Sequence, residues 1–437
     1  MLAEDDRPQL EEFCTALNPA RTAEFMEGLS DEEAWRVLQY TSPDRRAEIF
    51  SYFEEDRQVA MLDQFDRAEV AEVVGELASD DRVDLLHELD DDRVDEILPL
   101  LDAADRRDIR RLQSFAEGTA GSLMTTEVAK LGESLTVEQA FEELGRQGDE
   151  FETIYYLYVV DENGILRGIV STRQLVSSLK RPHRTIGELM ETDVISVLSS
   201  ADQESVAEKV GRFDLLAIPV VDESRQLLGI ITHDDVIDVV REEFTEDAQR
   251  AAAIEPLEAD YLRVGLWTLS WKRGIWLTIL FFAALLTAFA LRHYEVELER
   301  YAWLVCFIPL IISAGGNSGS QSATLVITAM TSGEVRFADW GRVMIRECYV
   351  ALALGAFLGS IGWAVAFFIA PSPMDSLVIP ITLLSVIVCG CLCGAALPMI
   401  FKRLGLDPAL MSNPFVAGIV DILGIVIYIN VARFVLG

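Results

Sequence analysis

Five long apolar segments constrain the fold of this chain more than any other feature. They span roughly residues 275–291, 301–330, 348–370, 375–401 and 411–436. Each is close to the ~20 apolar residues that a helix needs to cross a bilayer. Backbone groups in lipid must bond within their own segment, so apolar runs of this length become helices. The sequence therefore predicts an α-helical membrane domain with five transmembrane helices in a lipid bilayer.

Charge is distributed unevenly between the two ends of the chain. Of 71 acidic and 36 basic residues, 9 acidic and 10 basic ones lie from Trp267 onward, which leaves a net charge of −36 on the part before it. An N-terminal part with this much negative charge will not bind nucleic acid by neutralising phosphates. It attracts cations, including divalent ones. We therefore expect metal ions, and no nucleic acid, as partners.

The loops between the spans predict the orientation in the membrane, because loops rich in Lys and Arg stay in the cytoplasm. The two loops on the opposite side, RHYEVELER and APSPMDS, are acid-heavy or lack basic residues. This pattern predicts a cytoplasmic N-terminal part and a C-terminus outside. The basic residues that carry the argument are Lys272, Arg273, Arg336, Arg342, Arg346, Lys402 and Arg403.

A carboxylate near the middle of the fifth span, Asp421, raises the question of its partner. An Asp at the centre of a span costs about 2.5–3.5 kcal/mol on insertion scales. Asn413, Ala417 and Asp421 are spaced by four and share one stripe of the last helix. Arg433, the basic residue of these spans that could pair with it, lies about three turns further along the same helix. The sequence therefore predicts an ion path along this stripe, with a structural hydrogen bond as the alternative.

The second span is long and interrupted by small and polar residues. These residues predict a broken helix, which a membrane tolerates only where it lines protein or water. We expect Gly316 and Asn317 to belong to the opposite wall of the ion path. In the fourth span, the run CGCLCG predicts close helix packing through small residues, with a metal–thiolate site as the alternative. The interrupting residues are Pro309, Gly315, Gly316, Asn317, Gly319 and Gln321.

An acidic helical repeat occupies the first part of the chain. The dipeptide Asp-Arg recurs there at gaps of 10 to 15 residues, each time before a short apolar-periodic run such as DRVDLLHEL. Asp suits the first turn of a helix, where its charge meets the helix dipole. The pattern predicts short helices stacked into an α-superhelical array, and a plain helical bundle is the alternative. The pairs begin at Asp44, Asp56, Asp66, Asp81, Asp92 and Asp105.

Two stretches of the middle part resemble each other and predict two α/β modules. Residues 121–144 match residues 187–210, and VVDENGILRGIVSTRQLV (159–176) matches VVDESRQLLGIITHDDVI (220–237). The sequence of each repeat predicts, in this order, a helical stretch, a β-rich run, a turn at Asp-Glu, a second strand ending at Gly, and a helix. The pair resembles tandem cystathionine-β-synthase (CBS) modules, which are generally regulatory and sometimes bind adenine nucleotides.

In CBS modules a Thr-x-x-Asp motif at the last strand-to-helix turn usually contacts the ribose. The second module has it at Thr232 and Asp235, whereas the first has Ser171 and Gln174. Gln cannot accept two hydroxyl hydrogen bonds as a carboxylate does, which argues against nucleotide binding at the first module. The resemblance thus implies ATP as an optional ligand at the second module, and a purely structural pair is the alternative.

An acidic linker joins the modules to the spans. Residues 234–262 predict one long helix that ends at an interfacial belt beginning with Trp267. It is either a solvated connector or a lever that carries a signal to the membrane part. Its acids would repel other acids of the soluble part unless divalent cations bridged them. These acids are Asp238, Glu242, Glu243, Glu246 and Asp247.

In this order, the acidic repeats, CBS pair, acidic linker and five spans resemble the MgtE family of magnesium channels over essentially the whole chain. The most specific motifs are GGNSGSQSATL and LGLDPALMSNPFVAGIVDILGIVIY in the membrane part. The resemblance implies a helical-repeat domain (1–118), a first CBS module (119–180), a second (181–240), a linker or plug helix (241–266) and a pore domain (267–437).

The resemblance further implies a homodimeric Mg²⁺ channel or transporter of the plasma (inner) membrane, not an enzyme, that closes when cytosolic Mg²⁺ binds. Mg²⁺ dehydrates reluctantly, so Asp421 of both subunits would hold the hydrated ion, with Asn413 and Ala417 lining the pore beside it. The Mg²⁺-sensing acids that the resemblance implies are Glu48, Asp80, Asp84, Asp214, Asp235, Asp238, Glu243, Glu246 and Asp247.

The sequence leaves one alternative function open and argues against two others. A channel of the same architecture that prefers Co²⁺, Mn²⁺ or Ca²⁺ stays open, because a carboxylate and carbonyls suit several hard ions. Chloride channels with CBS modules place them after the spans, not before. An enzyme is disfavoured because the sequence has no Ser-His-Asp, HExxH or P-loop pattern, and its four His residues are scattered.

Overall fold

A computed structural model describes residues 7–147, 151–257, 261–262, 264–408 and 412–437 of the chain. The chain forms two compact units, Met1–Arg241 and Glu242–Gly437. The boundary between the units falls inside a helix, so each unit is treated by itself below.

Short helices stacked in sequence build the first part of the first unit. Each packs on the helix two places along, α2 on α4 and α4 on α6, and likewise α3 on α5 and α5 on α7. This arrangement confirms the predicted superhelical array. The helices are α1 (Arg7–Ala16), α2 (Pro19–Met26), α3 (Asp31–Leu38), α4 (Pro43–Ser51), α5 (Glu55–Gln64), α6 (Arg67–Gly75), α7 (Ser79–His87), α8 (Asp91–Ile97) and α9 (Asp105–Leu112).

The recurring Asp-Arg dipeptide holds this stack together. Its Asp lies at a helix start, as at Asp66, which accepts a hydrogen bond from a backbone N–H of α6. In three of the six pairs the Arg reaches back to an earlier helix end. Arg45, Arg57 and Arg93 each donate to backbone carbonyls 31 and 28 residues earlier. Because the offsets are identical, the dipeptide sets a regular repeat and satisfies carbonyls that a helix leaves free.

Two modules with the same α/β topology follow. In each sheet the first two strands run parallel and the last two antiparallel. This confirms the predicted pair of modules. The first has β1 (Val128–Gly132), α10 (Val137–Gln147), β2 (Thr153–Val160), β3 (Leu166–Ser171) and α11 (Thr172–Ser177). The second has β4 (Val197–Leu198), α12 (Gln203–Phe213), β5 (Ala217–Val221), β6 (Leu227–Thr232) and α13 (His233–Ala251).

The last strand of each module does not end at its glycine, so that prediction was wrong. Gly168 lies inside β3 and Gly229 inside β6. A Cβ on Gly168 would lie 2.8 Å from the carbonyl oxygen of Glu191, and one on Gly229 would overlap the carbonyl oxygen of Thr125. The glycines therefore let a neighbouring segment approach the strand closely.

The linker helix is shorter than predicted. α13 ends at Ala251 rather than near Leu262. Ala253 has a left-handed φ of 60°, and Pro256, a few residues later, cannot continue a helix. Acids on each turn favoured a longer helix, but these two backbone features end it.

Within the described ranges, five segments of the second unit are long and apolar enough to cross a membrane, as predicted. They are Leu266–His293, Ala302–Thr331, Phe337–Ile369, Asp375–Arg403 and Asn413–Leu436. Their helices are α14 (Leu266–His293), α16 (Ile308–Thr331), α17 (Trp340–Ile369), α18 (Val378–Arg403) and α19 (Asn413–Leu436), with the short α15 (Glu295–Arg300) after α14.

The second span is not broken at its glycines, contrary to the prediction. α16 continues through the whole run from Gly315 to Gly319. Pro309 lies in its first turn, where a missing N–H interrupts no intrahelical bond. A 3₁₀ turn (Ala302–Phe307) precedes the helix. The glycines therefore serve contacts between helices rather than a bend.

Glycines of α16 and α18 bring the two backbones into contact. A Cβ on Gly390 would lie 2.6 Å from the carbonyl oxygen of Gly315, and one on Gly394 would overlap the carbonyl oxygen of Gly319. Backbone atoms cannot move aside as a side chain can. The run CGCLCG thus serves close helix packing, as predicted.

We expect Gly394→Ala to push α18 away from α16. It should destabilise the second unit (Glu242–Gly437), called the membrane unit below, by about 1–3 kcal/mol, the usual range for overpacking. The measurement is the fraction of protein that stays monodisperse on size-exclusion chromatography after heating in detergent. Gly274→Ala is the matched control, since nothing lies within 4 Å of a Cβ there. Equal losses in the two variants would contradict the packing argument.

Candidate ion path and acid cluster

The structure places Asp421 and Ala417 of α19 against Gly316 of α16. A Cβ on Gly316 would lie 3.3 Å from Oδ1 of Asp421 and 3.4 Å from Cβ of Ala417. Gly316 is buried, so its missing side chain is what leaves room for the carboxylate. The broken-helix argument was wrong, yet the two spans that it linked do meet at this point.

Asn413, at the start of α19, is bonded to α16 twice. The Ser320 hydroxyl donates to its backbone carbonyl at 3.0 Å, and the Thr324 hydroxyl donates to its Oδ1 at 3.0 Å. Asn317 is exposed on α16, and its amide donates to the Ser313 hydroxyl at 3.2 Å. Four of the five residues expected along the path therefore lie at the α16–α19 contact, and Asn317 lies on the open face of α16.

A polar stripe runs along α16 beside this contact, and sequence reasoning missed most of it. Its residues are exposed, or half-buried in the case of Ser320. They recur at intervals of three and four residues, which places them on one face of the helix. That spacing was the signal available in the sequence. Polar groups in a span are unfavourable toward lipid, so this stripe requires water or protein opposite. The polar stripe consists of Ser313, Asn317, Ser320, Thr324 and Thr328.

Arg433 does not serve as the partner of Asp421. Its Nε lies 3.8 Å from Oε1 of Glu297, which follows the first span. No ion pair to Asp421 occurs in the part of the chain that the structure describes.

An acid cluster forms in the first unit where α7 meets the two modules. The Ser79 hydroxyl at the start of α7 lies 3.1 Å from that of Thr125 and accepts a hydrogen bond from the Thr126 N–H at 2.8 Å. The helical repeats and the second module also share one hydrophobic core. These contacts gather carboxylates from three segments. The acid cluster consists of Asp80, Asp81 and Asp84 of α7, Glu127 and Glu152 of the first module, and Asp235 of α13.

Asp80 is the most constrained member of the acid cluster. Its side chain is 7% exposed, and its Oδ1 has no hydrogen-bond partner among the described residues. Burial raises the pKa of Asp80 well above the ordinary range, and the negative charges of Asp235 and Asp81 raise it further. A buried carboxylate with a free oxygen is a position where a cation or a proton would be stabilising.

The pKa values of the other members are also raised. Partial burial raises the pKa of Asp81 to about 6 and those of Asp84 and Glu152 to about 7, with a smaller contribution from neighbouring carboxylates. Burial also raises the pKa of Asp235, although two hydrogen bonds from Thr232 oppose the shift. The cluster therefore repels itself when it is ionised and empty.

We expect the first unit to lose stability as the pH rises from about 5 to 8 when divalent ions are chelated. The folded pKa values lie above the ~4 of an unfolded carboxyl, so the folded unit binds more protons. The resulting stabilisation is fully present below the unfolded pKa and is lost as the pH rises through 6 to 7. Pulse proteolysis of the full chain during heating measures this. Asp80→Asn should flatten the dependence, and a midpoint that rises with pH would contradict it.

Several predicted sensing acids are not members of the acid cluster. Glu48 pairs with Arg45 at 2.7 Å. Asp238 pairs with Arg241 at 3.1 Å beside the cluster, and, after burial, its charge also raises the pKa of Asp81 and Asp235. Asp214 ends α12 as an exposed residue with a left-handed φ of 50°. Within the described ranges, no three His, Cys, Asp or Glu side chains are already grouped to hold a metal ion. Any ion site here must therefore be completed by movement of side chains, by water or by another chain.

The last turns of α13 lie against the loop before α19 through an arginine. Arg250 pairs with Glu246 on its own helix and with Asp407 at 2.8 Å. Burial, followed by the charges of Asp407 and Glu243, raises the pKa of Asp247. Asp407 was missed by sequence reasoning, since 157 residues separate it from Arg250 and no local pattern connects them.

The Thr-x-x-Asp motif has a local structural role. The Thr232 N–H donates to Oδ2 of Asp235 at 3.1 Å, and the Thr232 hydroxyl lies 2.5 Å from the same oxygen. Ser171 and Gln174 form the equivalent pair at the start of α11. Both motifs therefore cap helices, and this explains them without a nucleotide.

Comparison with known proteins adds to this geometry. The family model described as "MgtE: Divalent cation transporter" matches residues 308–431, the "MgtE intracellular N domain" model matches 17–118, and the CBS domain model matches 120–181 and 186–242. The chain is 38% identical to the magnesium transporter MgtE of Thermus thermophilus over 77% of this chain and 74% of that protein. It is 36% identical to that of Enterococcus faecalis over 97% of this chain and 93% of that protein.

Two solved structures resemble the soluble part. The crystal structure of the soluble part of a magnesium transporter is 34% identical and covers 55% of this chain and 94% of that chain, with a TM-score of 0.53. The cytosolic domain of the Mg²⁺ channel MgtE in complex with ATP is also 34% identical, with coverages of 55% and 96% and a TM-score of 0.51.

Proposed function

The chain belongs to the MgtE family of divalent cation transporters, and on that premise we propose that it is a channel that takes up Mg²⁺ and is closed by cytosolic Mg²⁺. The observation that carries the proposal is the contact of Asp421 with Gly316, beside the polar stripe of α16, in a unit with five apolar spans. A carboxylate with oxygen-bearing neighbours suits a hard cation.

The ion passes in its hydrated form. Mg²⁺ holds its waters tightly and favours one or two carboxylates over a full protein cage. Hydroxyls and carbonyls along α16 and α19 accept hydrogen bonds from those waters. The polar stripe requires a polar surface opposite, which supports a homodimer with the pore between two copies. Asp421 of each subunit then faces the same ion.

The cytosolic acids close the channel. At low internal Mg²⁺ the ionised acid cluster repels itself, and at high Mg²⁺ the ions bridge its carboxylates and favour the closed form. Closure follows only as far as ions bind that form better. The unpartnered oxygen of Asp80 supports this role. The acids assigned to sensing are Glu48, Asp80, Asp84, Asp214, Asp235, Asp238, Glu243, Glu246 and Asp247.

The remaining assignments complete the proposal. The relative bound to ATP supports ATP as a ligand of the CBS pair, near Thr232 and Asp235. The N-terminal domains lie in the cytosol and the C-terminus outside, in the plasma (inner) membrane. The functional domains divide at residues 118, 180, 240 and 266.

Reconstituted flux across a panel of divalent cations tests the function. We expect Mg²⁺ to pass, and to pass faster than Ca²⁺, Mn²⁺ or Co²⁺ at equal concentration. A different order would favour a related divalent channel. No divalent flux in correctly assembled protein would overturn the proposal.

A further inference from the structure

Another carboxylate of the membrane unit, Glu347, lies away from the ion path. It belongs to α17, on the face that also carries Val343 and Met344, which pack against buried residues of α16 and α18. One turn further along the same face, Ala351 is fully buried. Glu347 thus interrupts an apolar stripe. A carboxylate packed among apolar side chains is unfavourable unless a partner compensates it.

The partner is Ser322 of α16. Its side chain is 4% exposed, and its hydroxyl donates to Oε2 of Glu347 at 2.6 Å. A hydrogen bond to a carboxylate is roughly twice as strong as one between neutral groups. Ser322 therefore joins α16 to α17 through a short, half-buried and charge-assisted contact.

Ser322 lies on the side of α16 opposite the polar stripe. It is two residues from both Ser320 and Thr324, which corresponds to about 200° around a helix. Those two residues hold Asn413 of α19. α16 is thus bonded on one side to α17 and on the other side to α19, within one turn of its length.

The contact between α16 and α18 makes these bonds important. Gly315 and Gly319 face Gly390 and Gly394, and the side chain of Val386 on α18 packs onto Gly315. These are close contacts through backbone and apolar atoms, which carry no directional preference. Polar bonds on opposite sides of α16 add a directional restraint on its rotation.

We propose that Glu347 is a positioning residue for ion conduction, acting through Ser322. It fixes the rotation of α16, and with it the place of the polar stripe and Gly316 relative to Asp421. The inference rests on the proposed function as a Mg²⁺ channel. The inference predicts that Glu347 affects the ion selectivity of the channel without contacting the ion.

The test uses the full-length protein in proteoliposomes, with Mg²⁺ and Ca²⁺ flux measured separately. Glu347→Ala and Ser322→Ala should each lower the ratio of Mg²⁺ to Ca²⁺ flux by about fivefold. Ion specificity is a difference between two binding free energies, and that difference depends on where the polar stripe lies relative to Asp421. The double variant should be no worse than the stronger single. Glu347→Gln keeps an acceptor oxygen for Ser322 and should stay within about twofold of the unaltered ratio.

Ser360→Ala is the control, because this exposed serine of α17 bonds to a carbonyl of its own helix. A Glu347→Gln ratio as low as that of Glu347→Ala would overturn the positioning role, since the charge itself would then matter. Unchanged ratios in both alanine variants would also overturn it. If Glu347→Ala fails to assemble, Ser322→Ala decides the matter, because it removes a single hydroxyl. No flux in the unaltered protein would instead overturn the proposed function.

Discussion

Replacing Asp421 with alanine is expected to abolish Mg²⁺ uptake while the protein still inserts and assembles. The carboxylate is the negative group that α19 brings against Gly316, and in the proposed pore a hydrated Mg²⁺ is stabilised chiefly by that charge. Burying the carboxylate opposes insertion by about 2.5–3.5 kcal/mol, so its removal does not weaken the fold. The loss of uptake is expected to exceed about a hundredfold, because both subunits of the proposed homodimer lose the charge together. Reconstituted Mg²⁺ flux, with size-exclusion chromatography for assembly, measures both outcomes.

Glu334→Ala provides the matched control for that experiment. It removes an exposed carboxylate of the α16–α17 loop and changes the net charge by the same amount. Its flux should stay near that of the unaltered protein. Mg²⁺ uptake that survives Asp421→Ala at the unaltered rate would reject the ion path along α19.

Neutralising Asp80, Asp84 and Asp235 together with asparagine is expected to leave the channel open at high internal Mg²⁺. These residues lie in the acid cluster, where burial and mutual repulsion raise the pKa of each carboxyl. Without their charges, Mg²⁺ has no preference for the closed form, and a ligand without such a preference shifts nothing. The internal Mg²⁺ needed for half-closure should rise at least about tenfold. Electrophysiological recording at graded internal Mg²⁺ measures it.

A triple change of equal charge elsewhere tests whether position matters. Glu11, Glu12 and Glu24 are exposed residues of α1 and α2, and their replacement with glutamine should leave the Mg²⁺ dependence as it was. Shut-off that persists in the acid-cluster variant would exclude that cluster as the sensor. Equal effects of the two triple variants would mean that the net charge, and not the position of the carboxylates, controls closure.

The architecture could be predicted from sequence because its signals are local. A span is recognised by its own ~20 residues, and the Asp-Arg repeat by its own spacing. The two modules were recognised by comparing the chain with itself. The failures were local too. The glycines of α16 were taken for a break, although helix α18 supplies the partner that makes them packing residues. The linker helix was extended past Ala251 because its acidic pattern outweighed Pro256.

The composition of the candidate sites depended on contacts that have no local signal. Asp421, Ala417 and Asn413 could be placed on one stripe by counting residues. Their neighbours Ser320 and Thr324 share a stripe of α16 that spacing can reveal, but the sequence has no signal for which helix packs beside that stripe. Asp407, 157 residues from Arg250, lay outside any pattern.

The sequence by itself determined the five spans, the repeat and the pair of modules, because the hydrophobic effect and backbone hydrogen bonding act on consecutive residues. Tertiary structure alone decided which polar faces meet. Gly316 lies beside Asp421 because α16 and α19, which two other spans separate in the sequence, pack on small residues. Asp80 lies near Asp235 because the helical repeats and the second module share one core. In both cases a carboxylate acquires its chemistry from neighbours that only packing brings close.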